Sequence, residues 1–261
     1  MQIKQRLIAG LLVIIALAGC DKQSSETAQA TLPILKVGTT GQSYPNGFKQ
    51  DGQLVGFDVE VTQAIAKELG CQIEWVTAEF GGLMAQLEAK RLDTLANAVA
   101  VTAARQEKYD FSLPYSYYGS QLVINNQNSA IHSLADLKGK TISGVLGSNH
   151  INALKQAFPD DSITIRTYET RDGAMYDLVY NRVDAYINAK PILLAEMKRH
   201  NLPFTLLGDP LIIEPVAFPF NRNASGEKLK VAFDQAISKL QQNGTIKAIS
   251  EKYYGQDIST Q

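Results

Sequence analysis

The sequence predicts an α/β protein of two lobes joined by two crossovers, with a hinge and a cleft between them. Three observations predict it. Strand-like and helix-like periodicities alternate along the first third of the chain. The same alternation resumes through the middle. The ending after Gly244 has no strand partner nearby in sequence. Alternation of this kind implies mainly parallel sheets covered by helices. The economical partner for the closing helices is the first lobe, and a hinged cleft is a common place for ligands.

The elements follow in order. Ile34 to Thr39 reads as a strand. Val59, Thr62, Ala66 and Leu69, with Val61, Ala64 and Ile65 beside them, make a broad helical stripe that stops at Gly70. Gln72 to Val76 is a strand, Leu83 to Ala89 a helix, and Thr94 to Val101 a buried strand. The second series has strands at Gln121 to Ile124, Thr141 to Leu146, Ile163 to Tyr168 and Ala185 to Asn188. Its helices are a short one at Leu134 to Leu137, then Ile151 to Phe158, Arg171 to Asn181 and Pro191 to His200. Strand character returns at Val216 to Asn221. Two helices close the chain, Glu227 to Asn243 and Ile246 to Tyr253.

The start of the chain is of another kind. Lys4 and Arg6 precede an apolar run from Leu7 to Ala18, followed by Leu17-Ala18-Gly19-Cys20. Basic, then apolar, then small is the order of an export signal, here residues 1–19, and the run is too short to span a bilayer well. The Leu-Ala-Gly-Cys stretch resembles the lipobox of bacterial lipoproteins, which implies a lipidated Cys20 and attachment to a bilayer without a membrane span. Asp21 matches the residue that keeps such lipoproteins on the inner membrane in enteric bacteria. Residues 20–32 are read as lipid anchor and flexible tether, because they are too polar to bury a core.

The 261 residues carry a net charge of −1 and no long basic stretch, so no nucleic-acid partner is expected. With Cys20 lipidated, Cys71 is the single remaining thiol and reads as a small buried hydrophobe. There is no His/Cys metal spacing, no Ser-His-Asp order and no phosphate loop, so no catalytic residue, cofactor or metal is assigned.

Several segments carry a family resemblance: GFDVEVTQAIAKELG, EWVTAEFGGL, VTAARQEKYDFSLPY, SLADLKGKTISGVLGSN and NGTIKAISEKYYG. In order and spacing they resemble the polar amino-acid-binding proteins (family 3) of bacterial ABC importers, over residues 34 to 255. EWVTAEF followed by a GSN turn is most similar to the cystine binders. The resemblance implies the type II periplasmic binding-protein fold, with lobe one at 33–118 plus 219–258 and lobe two at 119–218. It also implies an ABC permease as partner, a periplasmic location and a monomer.

The resemblance also implies site residues. Arg105 is the arginine that grips the ligand carboxylate; on residue type alone it pairs with Glu107 or Asp110 instead. Tyr44 and Phe80 match the aromatics that sandwich the ligand side chain. Thr102 either caps its turn or donates its hydroxyl, and Asn97 is a ligand contact or an ordinary loop amide. Ser148 and Asn149 open a helix whose free N–H groups suit a carboxylate, or simply cap it. Glu79 and Gln42 are lesser candidates. His150 reads as structural.

Two positions depart from the family pattern. Ala100 stands where relatives often carry Ser or Thr. Ala189 follows Asn188 where relatives place an aspartate that pairs with the ligand ammonium. A buried ammonium without a counter-charge costs several kcal/mol. Either another acid substitutes, Glu79 or Glu214, or the ligand lacks a free ammonium. Two rival functions share this fold: a periplasmic dehydratase resembling cyclohexadienyl dehydratase, and a ligand sensor.

Overall fold

The structure is a computed structural model that describes residues 33–260. The export signal, Cys20 and the tether up to residue 32 lie outside the described residues. Among the described residues no helix is long and apolar enough to cross a membrane.

Strand β1 (Ile34–Thr39) turns Leu35 and Val37 into the core. A small antiparallel sheet follows, from β2 (Gln42–Ser43), β3 (Gly47–Gln50) and β4 (Gln53–Val55). Helix α1 (Phe57–Leu69) buries the stripe that its spacing predicts, and Gly70 ends it in the left-handed conformation, φ 62°. After β5 (Gln72–Thr77), α2 (Phe80–Glu88) and β6 (Thr94–Leu95), the first sheet is complete, all parallel, in the order β5-β1-β6.

Here the structure corrects the sequence. The strand expected over Thr94–Val101 stops at Leu95. Asp58 Oδ2 accepts the Ala98 N–H at 2.7 Å, and Ala98 takes a φ of 49°. The chain is thereby pulled off the sheet edge and curls back toward α1.

Helix α3 (Ala103–Gln106) and β7 (Tyr109–Phe111) lead into β8 (Ser116–Asn125), the first crossover. A 3-10 turn at Leu134–Leu137, boxed by Ser133 and Asp136, precedes β9 (Thr141–Val145) and α4 (Asn149–Ala157). Then come β10 (Thr164–Tyr168), α5 (Arg171–Val179), β11 (Ala185–Ala189), α6 (Lys190–His200) and β12 (Phe204–Val216). The second sheet has the order β10-β9-β11-β8-β12, with β8 antiparallel to both of its neighbours. One apolar cluster packs on Leu122, Ile142 and Ile187, another on Val123, Met175 and Tyr186, so both faces are covered.

The long strand β12 is missing from the sequence reading. Gly208, at a φ of 61°, lies inside this strand with Asp209 and Pro210. The register shifts between Leu207 and Ile212, so the strand absorbs these residues as a bulge and continues.

The chain returns beside its exit. Tyr115 N–H donates to the Val216 carbonyl at 3.0 Å, and Ala217 N–H to Val99 at 3.1 Å. Strand β13 (Pro219–Asn221) pairs with β7, and helices α7 (Ala224–Gln242) and α8 (Thr245–Tyr254) follow. Phe233, Ile237, Leu240 and Ile246 enter the same core as Val37, Phe57 and Ile65, so the chain's end rejoins its beginning.

Gly56 sits at φ 135°, and a Cβ there would lie 2.3 Å from the Asn46 carbonyl oxygen. Gly56→Ala is expected to cost about 2 kcal/mol or more through strain and overlap. Urea unfolding measures this, and an unchanged midpoint contradicts it.

Candidate functional site

The carboxyl ends of β1, β6, β9, β10 and β11 all open into one cleft. Ligands favour such crevices in open α/β sheets. One wall comes from the first sheet: Thr40, Gln42 and Ser43 after β1, Glu79 and Phe80 at the start of α2, then Asn97, Ala98 and Ala100. The opposite wall has Ser148, Asn149 and His150 after β9, residues 169–172 after β10, and Asn188 and Ala189 at the end of β11. Tyr118 and Val216, on the two crossovers, form its back.

Arg105 points into this space from α3. Its Nη1 donates to the Ala100 carbonyl at 2.9 Å, and Nη2 makes a long 3.4 Å contact to the Gly147 carbonyl across the cleft. The guanidinium lies over the Phe80 ring, 5.4 Å from its centre. Burial lowers its pKa while Glu214 and Tyr109 act against that; a guanidinium stays charged in any case. Asp110 pairs with Arg222 at 3.2 Å, so it is not the partner of Arg105. Among the described residues Arg105 has no carboxylate within ion-pair distance.

The other expected residues divide into two groups. Asn97 lines the cleft and its Oδ1 accepts from the N–H and hydroxyl of Thr40, each at 3.0 Å, which fixes the loop after β1. Ser148 lines it too; its Oγ is buried without a hydrogen-bond partner and does not cap α4. Asn149 donates to Glu214, and Asn188 donates to the Tyr186 hydroxyl while accepting from Ala189 N–H at 2.8 Å. Burial raises the Glu214 carboxyl, against the pull of Asn149 and Arg105. Glu79, Phe80 and Ala100 stand in the wall.

Two expected residues stand outside it. The Thr102 hydroxyl accepts from Arg105 N–H at 3.3 Å, so it caps α3. The Tyr44 ring packs edge-on against Phe48, 5.0 Å between centres, and under the Arg199 guanidinium at 4.1 Å. Gln42 and Ser43 line the cleft beside it, and Tyr44 does not. Of the two aromatics expected to sandwich the ligand, Phe80 lines the cleft and Tyr44 does not.

A hydrogen-bonded network lies under the first wall. The Asp58 carboxylate is fully buried and accepts from Asn46 Nδ2 at 3.1 Å, Tyr115 hydroxyl at 3.0 Å and Ala98 N–H at 2.7 Å. Asn46 Nδ2 also reaches the Tyr118 hydroxyl at 2.8 Å, and Tyr254 donates to Asn46 Oδ1 at 3.0 Å. With the Tyr254 proton so used, Tyr118 donates to Tyr254 at 2.8 Å. This network holds two lining residues, Ala98 and Tyr118, in place.

Sequence reasoning missed Arg171, Tyr118 and the part played by His150. A signal for Arg171 existed: Thr170-Arg171 follows β10 in the same strand-end position that Ser148-Asn149 takes after β9. His150 Nδ1 pairs with the Ser120 hydroxyl at 2.7 Å. Its imidazole is pushed down to about 3, first by burial and then by the charges of Arg105 and Arg171. The folded value lies below the unfolded 6.5, so this group supports the fold at neutral pH. That support is lost as pH falls from 6.5 toward about 3. The ring keeps some accessible surface on the cleft side, which limits the loss at pH ~4.5 to at most about 2.5 kcal/mol. His150→Gln is expected to lose less stability than the parent between neutral pH and pH ~4.5, read from urea midpoints. Equal losses contradict it.

Among the described residues no cluster of His, Cys, Asp and Glu is placed to hold a metal ion. Comparison with known proteins bears on what the cleft holds. The model of the bacterial extracellular solute-binding proteins, family 3, matches residues 35–256. The chain belongs to that family. This family 3 protein is 44% identical over 255 residues to the probable amino-acid-binding protein YxeM of Bacillus subtilis (strain 168), covering 98% of this chain and 96% of the relative. It is 33% identical over 234 residues to the L-cystine-binding protein TcyJ of Escherichia coli (strain K12), covering 86% and 84%. Among solved structures, the putative L-cystine ABC transporter from Listeria monocytogenes superposes with a TM-score of 0.81 at 28% identity, covering 88% of this chain and 99% of that one. The fold of this family 3 protein is accordingly the type II two-lobe α/β architecture, its lobes joined by two crossovers.

Proposed function

We propose that this family 3 protein is the ligand-capturing component of an ABC importer for a polar amino acid, cystine-like in kind. The observation that carries the reading is Arg105. It is a cation drawn into a cleft over an aromatic ring, without an ion-paired carboxylate, facing the start of α4 where the Ser148 hydroxyl has no partner. A carboxylate satisfies the guanidinium fork, the helix N–H groups and that hydroxyl together. The names of the relatives, an L-cystine-binding protein among them, support the ligand class.

In this reading lobe one is 33–118 plus 219–258 and lobe two is 119–218. Ligand binds to lobe one, and lobe two closes over it through the contacts that only the closed state makes. A permease reads the closed shape. Cys20 carries the lipid that holds the protein on the outer face of the inner membrane, in the periplasm. The protein acts as a monomer, without a cofactor and without catalysing a reaction.

A second reading has one observation in its favour. Ala189 is fully buried where an ammonium-binding acid is expected, which suits a carboxylate ligand lacking a free amino group. A melting-temperature screen separates the two. Its panel is free amino acids including cystine, their N-acetyl derivatives and simple carboxylates. A ligand at a hundred times its dissociation constant adds about 2.7 kcal/mol. A shift with free amino acids supports the first reading. A shift only with amino-free compounds supports the second, and no shift with any of them contradicts both.

A further inference from the structure

A second guanidinium stands in the cleft, on the opposite lobe from Arg105. Arg171 is the first residue of α5, and its side chain is only 12% exposed. Its Nη1 donates to the Tyr44 carbonyl at 2.5 Å and lies 4.0 Å from Glu196 Oε1. The second contact is too long for a hydrogen bond, and Glu196 is engaged by His200 at 3.3 Å. A guanidinium has five N–H donors. Among the described residues, neither Nε nor Nη2 of Arg171 has an acceptor, although the residue lines the cleft. Leaving a nearly buried cation so short of acceptors is costly unless something else supplies them.

The acids nearby do not supply them. Glu169 and Asp172 line the mouth of the cleft but are exposed, where water screens them. The same lining also includes Asn188, Ala189 and His150, which carry no negative charge. His150 Nδ1 is paired with the Ser120 hydroxyl at 2.7 Å. Two guanidiniums from opposite lobes therefore line one cleft, whose acids are Glu79 in the first wall and the exposed Glu169 and Asp172.

We propose that Arg171 forms a second carboxylate subsite, so that the ligand carries two carboxylates, one held by Arg105 on lobe one and the other by Arg171 on lobe two. The proposal rests on the amino-acid reading above and deepens it. A diamino dicarboxylic acid joined by a disulfide or thioether has the required form, with a carboxylate at each end. Its outer ammonium then meets Glu169 and Asp172 at the mouth. Such a ligand ties the lobes together from within, beside the Arg171–Tyr44 contact that already crosses between them.

Calorimetric titration of the protein with three probes tests this: L-cystine, L-cystathionine, and the mixed disulfide of cysteine with cysteamine, which is cystine without one carboxylate. Cystine or cystathionine is expected to bind at least about 30-fold more tightly than the mixed disulfide. Arg171→Gln is expected to remove most of that difference. Arg171→Lys, which keeps the charge but loses the fork, is expected to fall between. Equal affinity of the parent for cystine and the mixed disulfide overturns the proposal, and that comparison needs no variant. Arg171→Gln weakening all three probes alike also overturns it, leaving Arg171 as a closure contact only. Binding of monocarboxylic amino acids alone removes the second subsite and leaves the amino-acid reading standing. Failure of every amino acid to bind removes both.

Discussion

Arg105→Ala is expected to abolish ligand binding while leaving the fold intact. Removing one partner of a buried, hydrogen-bonded charge pair costs about 2–5 kcal/mol, so affinity should fall by about 30-fold or more. The fold has little to lose. Arg105 bonds only to the Ala100 carbonyl and, at long range, to Gly147, and both groups border the open cleft. Removing the side chain also relieves the desolvation that lowers its pKa. The melting temperature should therefore stay within a few degrees. Calorimetry and thermal unfolding read the two halves of this prediction separately. Retained affinity takes Arg105 out of the site, and a collapse in melting temperature makes it structural. Arg105→Lys should fall between, because an ammonium cannot engage both carboxylate oxygens in one plane.

The largest expected loss of stability comes from Asp58→Ala. Three donors, from Asn46, Tyr115 and Ala98, lose their acceptor in a fully buried place. Breaking a buried network of this kind costs about 3–5 kcal/mol. For a chain of this size that is a fall in melting temperature of roughly 6–20 °C. Binding should weaken as well, because the same carboxylate positions Ala98 and, through Asn46, Tyr118. A change of only a degree or two would mean that water or a neighbour replaces the carboxylate.

The pH dependence of Asp58 has the opposite sign to that of His150. Burial raises the Asp58 carboxyl to about 6, against the bonds from Asn46, Tyr115 and Ala98. The folded value lies above the unfolded one, so this group favours the fold most at pH below about 4. That contribution is lost as pH rises through 6. Between pH ~4 and ~6 the two groups partly cancel, and removing His150 alone unmasks the stabilising side of acidification.

The fold was legible wherever local signals agreed with one another. The α1 stripe ending at Gly70, and the β9 strand followed by Gly147-Ser148-Asn149 and α4, carry periodicity, stop signal and cap together. Legibility failed where a distant group overrode a local one. Nothing near residue 98 announces that Asp58 will take its N–H, forty residues away, and end the strand. Nothing near Gly208 announces a partner strand willing to accommodate a bulge. The site divides in the same way. Arg105, Phe80, Ser148 and Asn149 sit at strand ends or helix starts that the pattern locates. Tyr44 was misplaced: its ring packs under Arg199, a cation 155 positions later in the chain that no local pattern connects to it. Arg171 carries no local sign of burial at its helix start; its low exposure comes with Tyr44 and Glu196, both distant in sequence.

The most direct test of the central claim is a crystal structure of the protein grown with L-cystine. The account predicts ligand between the lobes, with one carboxylate within 2.7–3.2 Å of the Arg105 guanidinium and against the Phe80 ring, at the start of α4. Ligand bound elsewhere, or bound in the cleft with Arg105 turned away from both carboxylates, would contradict it.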